Sequence, residues 1–241
     1  IKHCLVLVRQ IFNKGISWRI FEGVNPVTAT ARENKKFLRT ADNKRVRFLS
    51  HEEANVLLSD LKSRSQQLHD ICQLSLYTGM RMGEVFGLNW NDIDLEHGNI
   101  SIKDPKSGES RNAYITTPLK TMFQRIKANT SKASGLVFRD RKGNKIREIS
   151  NVFDRAVEKL GFNKDVTDRR DKLVAHTLRH TFASWLAMQG EPIITIQKLM
   201  GHSNLEMTLR YAHLSPSHER TAVEKLSRGK LKKVVNLKKK K

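Results

Sequence analysis

Residues 176–211 constrain the fold of this 241-residue chain more than any other stretch, because three short helical patterns follow one another there. In the first pattern, apolar side chains recur at i, i+4, i+7 and i+8, the spacing of one buried helical face; they are Leu178, Phe182, Trp185 and Leu186. His176, Arg179 and His180 share a different face. The pattern predicts a helix with one face toward a core and another carrying groups suited to chemistry on a phosphate.

The next two patterns place a histidine and a tyrosine near helix ends. Pro192 opens a helix and Gly201 closes it as a C-cap residue does, so His202 lies at a helix end. The spacing S-x-x-E at 203–206 is that of a capping box and predicts a third helix. Tyr211 is expected off the buried side of that helix, which is predicted to comprise Leu205, Leu209 and Ala212.

Taken singly, these residues also fit ordinary structural roles. A tyrosine such as Tyr211 is more often a core or rim residue than a nucleophile, and a surface patch with one core histidine would account for the first helix. Histidines at i and i+4 also occur in zinc sites of the H-E-x-x-H type. Here position 177 is Thr, and neither a cysteine nor a clustered acidic third ligand is near in sequence. We therefore predict no metal site.

The charge of the chain indicates a polyanionic partner. Its 45 Lys and Arg residues outnumber 24 Asp and Glu residues, which gives a formal net charge of +21. That excess favours nucleic acid over a membrane, because no run approaches the roughly 18 apolar residues of a spanning segment. A merely basic surface remains the alternative on composition alone.

Cysteine use and the chain start indicate the compartment. The two cysteines, Cys4 and Cys72, lie among apolar residues, so neither a disulfide framework nor a zinc site is expected. The chain begins at Ile1 and shows no signal-peptide pattern. We expect a piece of an intracellular protein that is cytoplasmic and associated with the nucleoid.

Periodicity divides the chain into four parts. Residues 1–27 contain an amphipathic helix ended by Asn25-Pro26, and residues 28–47 are a basic stretch with little periodicity, expected to be a linker. Residues 48–226 are the main domain, and the basic residues 227–241 are an expected disordered tail.

The main domain is predicted to be mostly helical with a small antiparallel sheet, an α+β fold. A capping box at Ser50 and Glu53 opens its first helix, and a second helix over about 65–77 stops at Thr78-Gly79. Residues 99–103 and 111–116 alternate as two short strands, with Lys106 in the hairpin loop between them.

Four spaced motifs follow one another along the main domain: TGMRMGE at 78–84, PKSGESR at 105–111, AHTLRHTFAS at 175–184, and LMGH at 199–202 with Tyr211 nine residues later in RYAHL. Together they resemble the tyrosine recombinase family, the phage-type integrases, over about residues 48–215. The resemblance implies the catalytic-domain fold of DNA breaking-rejoining enzymes. It also implies that residues 1–27 are the end of a core DNA-binding domain.

Carried over by position, the resemblance makes Tyr211 a nucleophile that attacks the scissile phosphorus and forms a 3'-phosphotyrosyl bond. Such covalent catalysis conserves the phosphodiester energy, so no cofactor is expected. Arg81 and Arg179 would bind the non-bridging phosphate oxygens with planar guanidinium groups.

The remaining roles follow from the same resemblance. Lys106 would be the general acid for the leaving 5'-oxygen, although Lys103 lies only three residues away. His176 would assist proton transfer at the tyrosine, and His202 would donate a hydrogen bond to the phosphate. Glu84 and His180 would be supporting residues, the first orienting Arg81 and the second anchoring its helix.

The implied function is site-specific recombination that integrates or excises a mobile element such as a prophage. The implied partners are double-stranded DNA and accessory DNA-bending proteins. On DNA the protein would form a homo-tetramer, and without DNA it would be a monomer. Two alternatives stay open: a type IB topoisomerase that relaxes DNA, and a basic helical DNA-binding protein without catalysis. The recombinase hypothesis predicts that Arg81, His176, Arg179 and His202 converge on one anion-sized pocket. Tyr211 is predicted to lie close enough to reach that pocket by a movement of its loop.

Overall fold

The computed structural model describes residues 2–34, 47–103, 110–129 and 134–216, in two compact units, residues 1–45 and 46–241. Across the described ranges no helix is both long and apolar enough to cross a bilayer. The hairpin loop with Lys106, most of the expected linker and the residues after 216 lie outside these ranges.

The first unit contains two helices, α1 (Lys2–Ser17) and α2 (Pro26–Glu33). Asn25-Pro26 therefore begins a helix where the sequence indicated only an end, and the expected linker is helical as far as Glu33. The reason is the side chain of Asn25, which accepts from the Val27 amide at 3.1 Å and donates to the carbonyl of Arg9 at 2.8 Å. These bonds cap α2 and hold it to α1.

The second unit is mostly helical around a small sheet, and its elements follow in chain order. The helices are α3 (His51–Arg64), α4 (Gln66–Thr78), α5 (Met82–Phe86), α6 (Thr117–Ala128), α7 (Val152–Lys159), α8 (Ala175–Met188), α9 (Ile193–Met200) and α10 (Glu206–Leu209). The strands are β1 (Ile93–Asp94), β2 (Asn99–Lys103) and β3 (Ser110–Tyr114). Single 3-10 turns cover Trp90–Asp92 and Ala212–Leu214.

Local patterns predicted several of these elements. The capping box of α3 is present, with Ser50 Oγ accepting from the Glu53 amide at 3.1 Å and Glu53 Oε2 accepting from the Ser50 amide at 2.9 Å. Helix α4 ends at Gly79, whose φ of +66° lies in the left-handed region. Strands β2 and β3 pair antiparallel with Ile100 opposite Ala113, and β1, which the sequence did not predict, adds a third strand in the order β1-β2-β3.

Helix α4 lies between two parts of the core. On one side, Ile71 and Leu74 belong to a cluster with the sheet, α6 and Phe138. On the other side, Leu68, Cys72 and Leu76 belong to a cluster with α3, α7 and Leu178. Helix α4 is therefore buried on two sides, and the segment that follows it starts from a fixed position.

Helix α8 differs from its sequence pattern in a similar way. Leu178 is fully buried as expected, but Phe182, Trp185 and Leu186 are only partly buried. Arg179, His180, Thr181 and Ser184 are buried instead. The helix is covered by α4 on one side and by α9 and the segment around Tyr211 on another, so polar side chains on its second face lie inside the protein.

A buried carboxylate on α4 links this helix to α6. Asp70 accepts from Arg125 Nη2 at 2.6 Å and from Gln66 Nε2 at 3.0 Å, and it contacts His69 Nδ1 at 3.0 Å. Burial opposes ionisation, but the hydrogen bonds from His69 and Arg125 hold the pKa of Asp70 below its usual value. The ionised form is therefore the one that the fold stabilises.

We predict that Asp70→Asn lowers the free energy of unfolding by about 1.5–3 kcal/mol at pH 7, the usual value of a hydrogen bond to a charged group. Because the folded pKa of Asp70 is depressed, its contribution is present above the unfolded pKa of about 4 and is lost as the pH falls through the folded value. Urea unfolding of the original chain and of Asp70→Asn, at pH 7 and below pH 4, measures the difference in free energy of unfolding at each pH. An unchanged difference between the two proteins at low pH would contradict the assignment.

Candidate active site

Arg81 follows the sharp end of α4 and precedes α5. The turn is fixed because Ser75 Oγ donates to the carbonyl of Met80 at 2.9 Å and Thr78 Oγ1 accepts from the Met80 amide at 3.2 Å. The Arg81 side chain is 37% exposed, and its Nη2 donates to the carbonyl of Gly201 at 3.3 Å. The guanidinium thus reaches from the end of α4 to the end of α9 and keeps a face toward solvent.

Arg179 on α8 is 2% exposed and lies behind Arg81. Its Nη1 donates to the carbonyl of Gly79 and its Nη2 to the carbonyl of Met200. Burial, together with the charge of Arg81, lowers the pKa of the guanidinium to about 9. Both hydrogen-bond partners are neutral, and within the described ranges no carboxylate forms an ion pair with Arg179, so its positive charge remains available to an anion.

Glu84 is the carboxylate of this region, and three groups bind it. It accepts from the Arg81 amide at 2.8 Å and from Arg81 Nη1 at 3.0 Å, which is the contact suggested by their i, i+3 spacing. Arg111 on β3 donates to both carboxylate oxygens, at 3.0 and 2.7 Å. Burial would raise the pKa of Glu84, but the hydrogen bonds from Arg111 outweigh it and lower that pKa.

His202 follows Gly201, which ends α9 with a φ of +60°. The Nδ1 atom of His202 lies 2.9 Å from Thr208 Oγ1, so the ring is oriented with Nε2 as the nitrogen not engaged by Thr208. Burial, together with the charges of Arg179 and Arg81, lowers the pKa of His202 to about 4. The imidazole is therefore neutral at pH 7 and can act as a hydrogen-bond partner.

Tyr211 is 4% exposed and packs on α8 and α9 against Ala183, Ile196 and Met200. The predicted buried side of this segment was wrong: Leu209 is 50% exposed, whereas Thr208 and Tyr211 face inward. Hydrogen bonding accounts for the difference, because the Thr208 hydroxyl contacts His202 and the Tyr211 hydroxyl contacts His180. The predicted capping box at 203–206 is also absent, since Asn204 Oδ1 accepts from the Glu206 amide at 2.9 Å instead.

Two histidines lead from the tyrosine toward the surface. His180 Nδ1 lies 2.6 Å from the hydroxyl oxygen of Tyr211, and the rings of His180 and His176 meet edge to face at 4.8 Å between centroids. His180 is buried and His176 is exposed. The structure thus places His180, predicted only as a support, directly on the tyrosine. His176 contacts the ring of His180.

Burial raises the pKa of Tyr211 to about 12, against the opposing effect of Arg210 and Arg179. The tyrosine therefore stays protonated at neutral pH in this arrangement. A proton acceptor in contact with the hydroxyl is needed for it to act as a nucleophile, and His180 occupies that position.

Comparison with known proteins agrees with these features. The sequence profile of the Phage integrase family matches residues 47–218, well over half of the chain. This chain belongs to the phage integrase family. Its members are tyrosine recombinases, as the motif resemblance indicated.

Two relatives show how much of their own length this chain covers. The integrase of Salmonella phage P22 is 29% identical over 188 residues, covering 73% of this chain and 46% of the relative. The tyrosine recombinase XerA of Pyrococcus furiosus is 28% identical over 206 residues, covering 85% of this chain and 68% of the relative. The chain spans about half to two thirds of the length of these curated relatives.

Solved structures confirm the predicted fold class. The catalytic domain of bacteriophage HP1 integrase superposes with a TM-score of 0.58 at 30% identity, covering 75% of this chain and 96% of that domain. The XerH site-specific recombinase bound to a palindromic difH substrate has a TM-score of 0.60 at 22% identity, covering 80% of this chain and 56% of XerH. The latter shows likeness of fold alone.

In this member of the phage integrase family, three of the predicted site residues converge on the end of α9. Arg81 and Arg179 bind the adjacent carbonyls of Gly201 and Met200, and His202 follows immediately. Tyr211 is held beside them through His180. His176 is placed by its ring contact with His180, and Lys106 lies outside the described residues.

A groove of about 880 Å³ opens beside Arg81 along β2, and it contains a second lysine of interest. Lys103 lies on its wall with 81% of the side chain exposed, and its Nζ is 3.9 Å from Asp92 Oδ1. Lys145, Asn89 and Ser101 also line it. The groove is open and carries the cationic side chains of Arg81, Lys103 and Lys145, which suits a strand of nucleic acid.

Sequence reasoning did not assign roles to Arg111 and Thr208. Arg111 was noted only as the residue that opens a strand, although a charged residue at a partly buried position of a short strand is itself a signal. Thr208 carried no sequence signal, because its contact with His202 depends on the turn between α9 and α10.

The depressed pKa of His202 predicts a pH dependence of stability. The folded value is about 4, whereas an unfolded histidine titrates near 6.5. Between these values the unfolded chain binds a proton that the folded chain does not, so the free energy of unfolding falls as the pH drops from about 6.5 to about 4. We expect His202→Gln to flatten that slope in denaturant titrations. His213→Gln, at an exposed histidine, is the matched control and keeps it; an NMR titration of His202 near pH 6.5 would contradict the prediction.

Proposed function

We propose that this chain is the catalytic part of a site-specific DNA recombinase that cleaves and rejoins strands through a 3'-phosphotyrosine intermediate, in the integration or excision of a mobile element such as a prophage. The observation that carries the proposal is the convergence of Arg81, Arg179 and His202 at the end of α9, beside a tyrosine bound to a histidine. Membership of the family supports the same chemistry.

The proposed cleavage step exchanges one phosphodiester for another. The oxygen of Tyr211 bonds to the scissile phosphorus while the bond from phosphorus to the 5'-oxygen breaks. The tyrosine proton passes to the imidazole of His180 in contact with the hydroxyl, with His176 next along the path to solvent. The 5'-oxygen takes its proton from Lys106. Because the phosphodiester energy is conserved in the protein-DNA bond, this chemistry uses neither ATP nor a metal ion.

The arginines supply the charge that the transition state needs. Negative charge develops on the non-bridging oxygens during phosphoryl transfer, and preorganised donors there typically contribute two to three orders of magnitude in rate each, about 10²–10³-fold. Arg179 is rigid because both of its terminal nitrogens are held by carbonyls, whereas the exposed face of Arg81 is open to a phosphate. His202 would donate to the same phosphate from Nε2.

The proposed partner is double-stranded DNA. The net charge of +21 and the open groove with Arg81, Lys103 and Lys145 support it, and the relative XerH has been solved on its difH substrate. Recombination joins two duplexes, so we propose a homo-tetramer on DNA that is a monomer when free, assisted by DNA-bending proteins. The chain is nearly as similar in sequence to a Xer recombinase as to a phage integrase. The proposal that its DNA belongs to a mobile element therefore depends on the family motifs.

The covalent intermediate gives a direct test that needs no known target site. We expect the 241-residue chain to capture nicked suicide duplexes from a random-sequence library as complexes that survive denaturation, in EDTA and without ATP. Tyr211→Phe should abolish capture. Tyr114→Phe is the matched control, since Tyr114 is an exposed tyrosine of β3, and it should capture as the original chain does.

Three outcomes count against parts of the proposal. Capture that survives in Tyr211→Phe would remove this residue as the nucleophile. Absence of covalent complexes across the library, with retained DNA binding, would favour the non-catalytic DNA-binding protein. Capture with relaxation of supercoils but no exchange between two marked duplexes would favour the topoisomerase.

The general acid can be identified with a leaving group that needs no proton. On the captured sequence, we expect Lys106→Ala to block cleavage of an ordinary phosphodiester by about 10²-fold or more, within the range for general acid catalysis. Cleavage of a substrate with a 5'-bridging sulfur should be much less affected, because a thiolate leaves unprotonated. Lys103→Ala is measured in parallel, since this lysine lines the groove. If the sulfur substrate restores cleavage by Lys103→Ala and not by Lys106→Ala, Lys103 is the general acid.

A further inference from the structure

Arg111 extends from β3 against the end of α9. Its side chain is 12% exposed, its Nε donates to the carbonyl of Leu199 at 3.3 Å, and its two terminal nitrogens hold both oxygens of Glu84. A Cβ atom on Gly201 would lie 2.6 Å from Arg111 Cδ, so the arginine lies flat on the glycine whose carbonyl binds Arg81. The Arg111 side chain therefore contacts Glu84, Leu199 and Gly201, which themselves hold or adjoin Arg81 and Arg179.

Glu84 is divided between two arginines. One oxygen accepts from Arg81 Nη1 and Arg111 Nη1, both at 3.0 Å, and the other accepts from the Arg81 amide and from Arg111 Nη2 at 2.7 Å. A carboxylate held by a bidentate arginine is already neutralised. With Arg111 removed, the hydrogen bonds to the Glu84 carboxylate would come from Arg81, whose attraction for a phosphate would be reduced by that closer pairing.

The same side chain fixes the end of α9. The carbonyls of Leu199, Met200 and Gly201 bind Arg111, Arg179 and Arg81 in that order. Loss of the first bond would loosen the segment that supports the other two and that carries His202. Arg111 thus acts on the site by two routes, through charge and through backbone position.

We propose that Arg111 is a positioning residue of the anion site, which keeps Arg81 available for the scissile phosphate and holds the α9 end in place. This deepens the proposed function and rests on it. Arg111 does not contact substrate in this role, so it differs from Arg81 and Arg179.

The competing explanation is that Arg111 only contributes stability as a buried ion pair. The chain offers a matched control in Arg125, which donates to buried Asp70 at 2.6 Å on another part of the second unit. Arg111→Met removes the bidentate arginine from Glu84, Arg125→Met removes the arginine from Asp70, and both variants keep an unbranched side chain. A purely structural role predicts that they behave alike.

The first readout is the binding of inorganic phosphate, which is monitored through the NMR signals of the Arg81 and Arg179 Nε–H groups and of the His202 ring. We expect Arg111→Met to weaken phosphate binding about tenfold or more, the scale seen when the outer partner of a ligand-holding side chain is removed. Arg125→Met should stay within about twofold of the original chain, as expected for a distant independent site. Unfolding curves confirm that both variants are folded.

The second readout separates charge from packing. Glu84→Gln combined with Arg111→Met removes the unbalanced carboxylate, so we expect part of the lost phosphate affinity to return, which a purely structural role does not predict. Should Arg111→Met fail to fold, Arg111→Lys replaces it, and a single ammonium that cannot hold both oxygens should still weaken binding several-fold.

Phosphate affinity in Arg111→Met, or in Arg111→Lys where it is needed, equal to that of the original chain would overturn the proposal. Equal losses in Arg111→Met and Arg125→Met would do the same, and so would the absence of phosphate-dependent signals at Arg81 and Arg179 in the original chain. Failure of covalent capture is a separate result, which counts against the recombinase while the phosphate titration still decides the role of Arg111.

Discussion

Three consecutive carbonyl groups at the end of α9 hold the candidate site together. Those of Leu199, Met200 and Gly201 accept from Arg111 on β3, Arg179 on α8 and Arg81 before α5. The last carbonyls of a helix lack partners within the helix and carry its negative dipole end, so they attract cations. Gly201 ends α9 at this point, and its missing side chain leaves room for Arg111. Elements that are far apart in sequence thereby meet at one short segment.

This arrangement concentrates positive charge before any anion is bound. Arg81 and Arg111 bind the carboxylate of Glu84, whereas Arg179 is held by neutral carbonyls, and burial together with the charges of these arginines lowers the pKa of His202 to about 4. Burial likewise lowers the pKa of Arg179 to about 9. Burial is the larger cause of both shifts, and the part that comes from the neighbouring arginines is an unfavourable interaction between cations that a bound phosphate would relieve. The site is therefore better suited to a phosphate than to a neutral ligand, independently of any motif.

Sequence patterns predicted the local features of this protein and missed those that depend on distant contacts. The capping box of Ser50 and Glu53 and the glycine end of α4 were readable because every partner lies within a few residues. The burial of α8 and the inward direction of Thr208 and Tyr211 were not, since they depend on contacts between separate helices. Arg111 meets Glu84 across 27 positions and Leu199 across 88, which no periodicity can show. The motifs named most of the residues, but the structure alone shows which of them touch.

The position of His180 changes how the tyrosine proton can leave. Burial raises the pKa of Tyr211 to about 12, so the hydroxyl does not lose its proton to water at neutral pH in this arrangement. His180, at 2.6 Å, is the contact through which the proton can pass, and the exposed His176 lies against it on the solvent side. In the proposed reaction two histidines therefore share a path for which the sequence suggested one. The i, i+4 spacing that resembles half of a zinc site instead places two imidazoles in sequence between a buried phenol and solvent.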